Sequence, residues 1–390
     1  MSNSLFFLFS EKISPERLEW ISLIQNFSKN TLTIGITGDA LYSFTDQSLF
    51  PEWESIIRNQ RCNIHLDQWE AEIRGITIKS LTKNYKISSL TNIKLSKNIK
   101  IGFWDAILQL EEFRNFKDNY MGFLQMKGPY MSRNSVYAVN FLESSLKNKK
   151  KAQLLCYLDG VHTGHINQAP SEFENIGRLI SMYTDPQTHN NQIMETLACS
   201  RCCIARGYGE INQNNEEYKA KSVIDGFRIC NLNEIVDQFE RSSPIFAPNV
   251  GMWINSTEKK FISSPEILLM MTHTPYQEEF TFGGLSFAMA CANHGIHVSI
   301  LFVEDGIYNL VGEHKIHSQD HVFNIQEIVD VTWEMDKIDY YIYTPSILRR
   351  NVSINGYLNF VNPLSTEELQ LLISKHTNQE NSNMGRIIFF

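Results

Sequence analysis

The feature that most constrains this 390-residue chain is that part of it is written twice. GFLQMKGPYMSRNSVYAVNF (122–141) and ILLMMTHTPYQEEFTFGGLSF (267–287) each read as an apolar strand, then Pro-Tyr, then an amphipathic helix. LLCYLDGVHTGH (154–165) and ILFVEDGIYNLV (300–311) are each an apolar strand running into Asp-Gly. Tyr130 precedes Asp159 by 29 residues, Tyr276 precedes Asp305 by 29, and both landmarks share an offset of 146. Two landmarks and two strands recurring at one offset indicate a duplicated unit. A weaker copy precedes them. LFFLFS (5–10) and TLTIGITGDALY (31–42) are apolar strands, and Ser10 stands 29 residues before Asp39.

Later segments recur as well. WEAEIRGI (69–76), RCCIARGY (201–208) and ILRRNV (347–352) each read as a short helix ending at a basic residue. Gly75, Gly207 and Asn351 then occupy the position after the helix, where a left-handed backbone is wanted. Apolar strands alternating with helices imply an α/β fold with a mostly parallel sheet covered by helices on both faces. Three tandem domains of this kind are expected. EEFRNFKDNY (111–120) and WINSTEKKFISSPE (253–266) read as linkers, which sets the domains at 1–115, 119–254 and 264–390. The polar tail HTNQENSN (376–383) reads as a loop before a last strand at 386–390.

Composition narrows the class. Hydrophobic residues make up 43% and charged residues 20%, which supports a packed core. A net charge of −8 argues against a dedicated nucleic-acid surface. The basic run from Lys147 to Lys151 reads as a solvated turn. No stretch of about 18 uninterrupted apolar residues exists, so no membrane-spanning helix is expected. LFFLF (5–9) is too short, and lacks the basic flank, for an export signal. Seven cysteines, an odd number, fit reduced thiols in a cytoplasm better than a disulfide framework.

Three of those cysteines fall within LACSRCCIARG (197–207): Cys199, Cys202 and Cys203. A helix beginning near Cys199 would place them at i, i+3 and i+4, near one face. Arg201 and Arg206 add positive charge nearby, and a thiolate is the reacting form of cysteine. A zinc site would need four ligands, and no second Cys-x-x-Cys is present. His162 and His165 could complete one only from another strand. A thioredoxin-like enzyme would need the usual aromatic-Cys-Gly-Pro-Cys context, which is missing. No metal is therefore expected, and no cofactor, since neither a nucleotide-binding Gly-x-Gly-x-x-Gly nor a Walker loop occurs. Burial as inert apolar residues is the expectation for Cys62, Cys156, Cys230 and Cys291, and for Cys203. The Asp-Gly strand ends allow two readings. Asp159 and Asp305 would cap a turn that Gly160 and Gly306 permit. Alternatively, the strand ends line a ligand site, with Tyr130, His162 and His165 around Cys199.

The order of these segments resembles the DsrE-like sulfurtransferase family. It is similar to the three-subunit sulfur-relay complexes DsrEFH and TusBCD, joined in one chain. ITGDALY (36–42) and IHLDQWEAEIRGI (64–76) resemble the DsrH/TusB subunit. GPY (128–130), LDGVHTGH (158–165) and ACSRCCIARG resemble DsrE/TusD. THTPY (272–276), VEDGIYNLV (303–311) and RIIFF resemble DsrF/TusC. The resemblance implies that Cys199, eight residues before Gly207, carries a persulfide, and that Cys202 is an assisting thiol. Tyr130, Asp159, His162, His165 and Arg206 would form the environment. Asp67 and Tyr343 stand at the equivalent positions of the flanking copies, where no persulfide can form. The implied function is a sulfurtransferase that takes sulfane sulfur from a donor protein and passes it to a small cysteine-bearing acceptor resembling TusE or DsrC. Relatives serve tRNA thiolation or sulfur oxidation, and a homodimer would reproduce the family's six-domain assembly. The alternative is a non-catalytic scaffold that kept the fold and lost the relay.

Overall fold

The structure, a computed structural model, describes residues 3–27, 31–77, 92–114, 120–185, 194–211, 218–240, 244–255, 266–354, 359–377 and 384–390. The first repeat contributes β1 (Asn3–Phe9), β2 (Thr31–Ile36), β3 (Cys62–Leu66) and β4 (Ile93–Leu95). The middle stretch contributes β5 (Met121–Gln125), β6 (Ala152–Cys156), β7 (Met194–Cys199), the short β8 (Gly209–Ile211) and β9 (Tyr218–Ala220), then β10 (Phe227–Cys230), β11 (Ile245–Phe246) and β12 (Asn249–Asn255). The last contributes β13 (Glu266–Met271), β14 (His297–Phe302), β15 (Ile338–Tyr343), β16 (Asn362–Leu364) and β17 (Met384–Phe389).

These strands form a five-stranded sheet, β10-β7-β6-β5-β11, parallel throughout, and a ten-stranded sheet, β16-β15-β14-β13-β17-β12-β1-β2-β3-β4. β8 and β9 pair as a separate antiparallel hairpin. One sheet per repeat is the sequence expectation. The structure instead joins the strands of the first and last repeats through β12, which runs antiparallel to β1 on one side and to β17 on the other. The physical reason is edge protection: β1 and β17 would otherwise present unpaired N–H and C=O groups. Trp253–Asn255, read as linker, complete β12. Glu266, the last residue of that linker, opens β13, while its residues 256–265, the residues 115–119 of the other and 378–383 of the tail lie outside the described residues.

Along its central strands, both faces of the ten-stranded sheet are buried. Along β1, Phe6 and Leu8 enter one core while Leu5, Phe7 and Phe9 enter the other. Along β13, Ile267, Leu269 and Met271 alternate with Leu268 and Met270 in the same way. The five-stranded sheet and its helices belong to the first of these cores, so the middle repeat packs against one face of the long sheet. Trp104, from the helix Gly102–Leu108, is inserted edge-on among Phe123, Phe141 and Phe246, with centroids 5.5–5.8 Å away. Such aromatic pairs add to the apolar area they bury. Among the described residues no helix is long and apolar enough to cross a membrane.

Strand register shows how the three repeats correspond. Phe9 pairs with Ile36, Gln125 with Cys156, and Met271 with Phe302. Asp39, Asp159 and Asp305 each follow three residues after the second partner. The same backbone bond recurs at all three turns: Thr37 N–H to Phe9 O, Tyr157 N–H to Gln125 O, and Val303 N–H to Met271 O. Gly38, Leu158 and Glu304 share a left-handed backbone, with φ of 57°, 51° and 56°. This alignment corrects one landmark. The 29-residue spacing matched Ser10 with Tyr130, but the register sets Ser10 opposite Met126, so the first repeat is four residues shorter at this loop. The basic run is a turn with Lys147, Lys149 and Lys151 exposed, as expected, and only Lys150 departs from it. Lys150 is buried, and its ammonium donates to the carbonyls of Phe113 (2.9 Å) and Arg114 (3.4 Å). It satisfies the open C-terminal end of the helix Glu111–Arg114.

Candidate functional site

Cys199 is the last residue of β7 and the residue that caps the helix Ser200–Ala205, with an extended backbone (φ −58°, ψ 120°). Gly207, at φ 77°, closes that helix in the left-handed conformation, as Gly75 (φ 70°) and Asn351 (φ 48°) do in the sister repeats. The Cys199 residue is 1% exposed.

Its neighbours are other thiols. The Cys202 side chain hydrogen-bonds the Cys199 sulfur, and this is the main reason that the Cys199 thiol is drawn down to about 7. Burial opposes the shift, while the N–H groups of Cys202 and Arg201 and the Arg201 charge support it. The same contact, followed by burial, pushes Cys202 up, so the shared proton stays on Cys202. Cys230 is the register partner of Cys199 on β10, and burial lifts it to about 12. Cys203 is also raised to about 12 by burial, and Cys156, which ends β6, is raised by burial too. Three adjacent strands of the middle sheet therefore end in cysteine. In the sequence Cys230 has only the pattern of an inert core residue, and nothing in the linear chain ties position 230 to 199. The expected burial of Cys62, Cys156, Cys203, Cys230 and Cys291 is what the structure contains.

A polar rim lies at the other end of the short helix. Arg206 reaches Asp159 (Nε to Oδ1 2.8 Å) and Glu279 (Nη2 to Oε2 2.6 Å) with one guanidinium. The Asp159 carboxylate thus goes to an arginine instead of capping the turn. His162 shares a 2.6 Å hydrogen bond with the Tyr208 hydroxyl, and its Nε2 is 3.6 Å from Asp159. Desolvation lowers the pKa of His162, keeping it neutral near pH 7. His165 joins through its ring, 5.5 Å from that of Tyr208, and through Ser222 O at 3.3 Å. Tyr130 is committed elsewhere: its hydroxyl donates to Gln168 (2.8 Å) and accepts from the Ile176 N–H (3.3 Å). Tyr276 occupies the same place in the last repeat, between His314 and the Ile325 N–H. Tyr130 is therefore a pin of the fold, while Asp159, His162 and Arg206 form one contact cluster.

The third repeat closes over this region. Tyr157, whose burial raises its pKa and which senses the charges of Cys199 and Cys202, donates its hydroxyl to Gly283 O at 2.9 Å. Gly283 lies on the helix Phe280–Asn293, and a side chain there would meet Leu158 at 2.7 Å. Tyr157, Tyr208 and Glu279 carry no signal in the sequence: Tyr208 reaches His162 through the fold of the middle repeat, and Tyr157 and Glu279 meet their partners only where the third repeat docks.

The sister sites keep the frame without the thiol. Arg74 pairs with Asp39 (2.8 Å) and Arg350 with Asp305 (2.9 Å), as Arg206 does with Asp159. Asp67 caps its helix by accepting from the Glu70 N–H (3.2 Å) and from the Thr37 hydroxyl (2.7 Å). Tyr343 shares a 2.9 Å hydrogen bond with Thr366. The repeats also clasp one another in a ring. Arg206 of the second holds Glu279 of the third, Arg350 of the third holds Glu16 of the first at 2.9 Å, and Arg133 of the second holds Glu70 of the first at 2.5 Å. Among the described residues no group of three or more His, Cys, Asp or Glu side chains is placed to hold a metal ion.

Fold and site define a repeat-built α/β protein with one hydrogen-bonded, low-pKa thiol at a parallel strand end. Residues 266–376, within the third repeat, match the DsrE/DsrF-like family model. No curated protein matches the chain. Among solved structures it is similar to the ychN protein of E. coli, at 14% identity over 32% of this chain and 99% of that one, with a TM-score of 0.27.

Proposed function

We propose that this protein is a sulfur-relay sulfurtransferase built from three DsrE-like domains (1–115, 119–254 and 264–390), fused in the order of the TusB-, TusD- and TusC-like subunits. The observation that carries the reading is the Cys199 thiol, lowered by its Cys202 hydrogen bond, at a position where the other two repeats have Asp67 and Tyr343. The Cys199 thiolate attacks the outer sulfur of a donor persulfide. The donor S–S bond breaks, the donor leaves as a thiolate, and a new S–S bond forms on Cys199. A cysteine of a small acceptor protein, TusE- or DsrC-like, then takes that outer sulfur and returns Cys199 to the thiolate. Arg206, Asp159, His162 and His165 form the rim at which donor and acceptor dock, in a cytoplasmic homodimer. The product sulfur serves tRNA thiolation or sulfur oxidation.

The experiment is intact-mass analysis after exposure to a persulfide donor. Gain of one sulfur atom, mapping to Cys199 and lost in Cys199→Ser, supports relay. An unchanged mass rejects it. The second reading, a scaffold that has lost relay, draws on the near-complete burial of Cys199 and on the two thiol-free sister sites. The unchanged mass would support that reading.

A further inference from the structure

Relay requires one thiol, yet five cluster at the carboxyl edge of the middle sheet. Cys156, Cys199 and Cys230 end adjacent strands, and Cys202 and Cys203 lie on the helix that follows Cys199. Four of the five are 0–1% exposed, whereas Cys202 keeps 8%. Cys202 is also the thiol whose side chain is bonded to the Cys199 sulfur. It stands three residues beyond Cys199, where successive turns of a helix bring side chains within about 5–6 Å. A disulfide needs its β-carbons about 3.5–4.5 Å apart, so closure takes a local shift at Cys199, which caps the helix and does not lie within it. Cys230 faces Cys199 as well, but it is fixed in the ladder of β10.

Building on the relay reading, we propose that Cys202 is a resolving thiol that discharges an undelivered persulfide on Cys199. The Cys202 sulfur attacks the Cys199 Sγ, the inner sulfur of the persulfide. The bond between Sγ and the outer sulfur breaks, and the outer sulfur leaves as hydrosulfide, taking the proton that Cys202 gives up. A Cys199–Cys202 disulfide forms. The sulfane sulfur is reduced to sulfide and the two thiols are oxidised, so electrons balance with no external oxidant. The second activity is thus sulfide release. Its consequence is self-limitation: with no acceptor present, the chain stops loading until a low-molecular-weight thiol reopens the disulfide.

The test uses the full chain, reduced, loaded with inorganic polysulfide and desalted. Mass and released sulfide are then followed without acceptor. The wild type is expected to carry one extra sulfur, then to become two hydrogens lighter than the reduced chain. Sulfide should appear in equal amount, and peptide mapping should link residues 199 and 202. Cys202→Ser should hold the extra sulfur at least about tenfold longer, while Cys203→Ser should behave as wild type. A wild-type chain that holds its sulfur as long as Cys202→Ser, with no 199–202 crosslink, overturns the proposal. The crosslink is read on the wild type alone, so misfolding of a variant does not obscure it. If neither wild type nor Cys202→Ser gains sulfur, the relay reading fails and takes this one with it.

Discussion

Glu279 of the third repeat holds Arg206 of the second at 2.6 Å, across the junction that covers the Cys199 region. The guanidinium is mostly buried, but the Glu279 side chain is 59% exposed, so the pair is screened and stabilises the chain by about 1 kcal/mol or less. Its larger effect is on access. Gly283, one turn along the same helix, is pressed against Leu158 and accepts from Tyr157. Glu279→Gln should therefore leave thermal stability almost unchanged while accelerating alkylation of Cys199 severalfold. Equal labelling rates in variant and wild type would show that the junction does not gate the thiol.

The reactivity of Cys199 should follow its thiolate. Its thiol lies below the ordinary value of about 8.5. The alkylation rate should rise as pH climbs through neutrality and level off before an ordinary cysteine would. Removing the hydrogen-bond donor in Cys202→Ala should move that midpoint upward, because burial then acts with less opposition. A rate–pH profile of the two proteins checks this, and coincident profiles would remove Cys202 as the cause.

How much of this was legible in the sequence depends on range. The Asp39, Asp159 and Asp305 landmarks and the closing residues Gly75, Gly207 and Asn351 are local signals, and each marks a turn where the structure has one. Leu158 and Glu304 were opaque, since neither residue type advertises the left-handed backbone they adopt beside Gly38. The Ser10–Tyr130 correspondence misled because a spacing cannot reveal a loop shortened by four residues. β12 is an apolar run that any sheet could accept, and only the free edges of β1 and β17 decide its place. The pairing of Cys199 with Cys230 and the ring of Arg206, Arg350 and Arg133 contacts depend on strand register and docking, and neither leaves a pattern along the chain.

Gly160 tests the repeat at its tightest point. A β-carbon there would stand 1.9 Å from the Gln125 carbonyl oxygen, and at Gly306 it would stand 1.8 Å from that of Met271. The obstacle is backbone, which cannot swing aside. Gly160→Ala should destabilise the chain by about 3 kcal/mol, at the upper end for overpacking. The first repeat carries Ala40 at this place, buried, so Ala40→Gly should cost only about 1 kcal/mol, chiefly in backbone entropy. Denaturant midpoints of the two variants decide it, and similar losses would mean that the close approach at Gly160 is relieved elsewhere.

Asp67, the counterpart of Cys199 in the first repeat, gives a prediction with a definite sign. Burial raises its carboxyl from an ordinary value near 4 to about 6, against the hydrogen bonds from Thr37 and the Glu70 N–H, and the Glu70 charge adds to the rise. Near pH 4 and below, Asp67 is protonated in the folded chain and carries no penalty. Between pH 4 and 6 the unfolded chain loses this proton first, so folding stability falls as pH rises. Above pH 6 the folded chain bears the full cost of a buried carboxylate, on the order of 3 kcal/mol for a lift of this size. Asn at this position still caps the helix, and its amide can donate to the Thr37 hydroxyl in place of the bond Asp67 accepts. Asp67→Asn should therefore be the more stable protein at pH 7.5, with the difference shrinking to nothing near pH 4. Unfolding midpoints of the two proteins measured across that range provide the check. A wild type that equals or exceeds the variant at pH 7.5 would show that the hydrogen bonds from Thr37 and the Glu70 N–H compensate the buried charge.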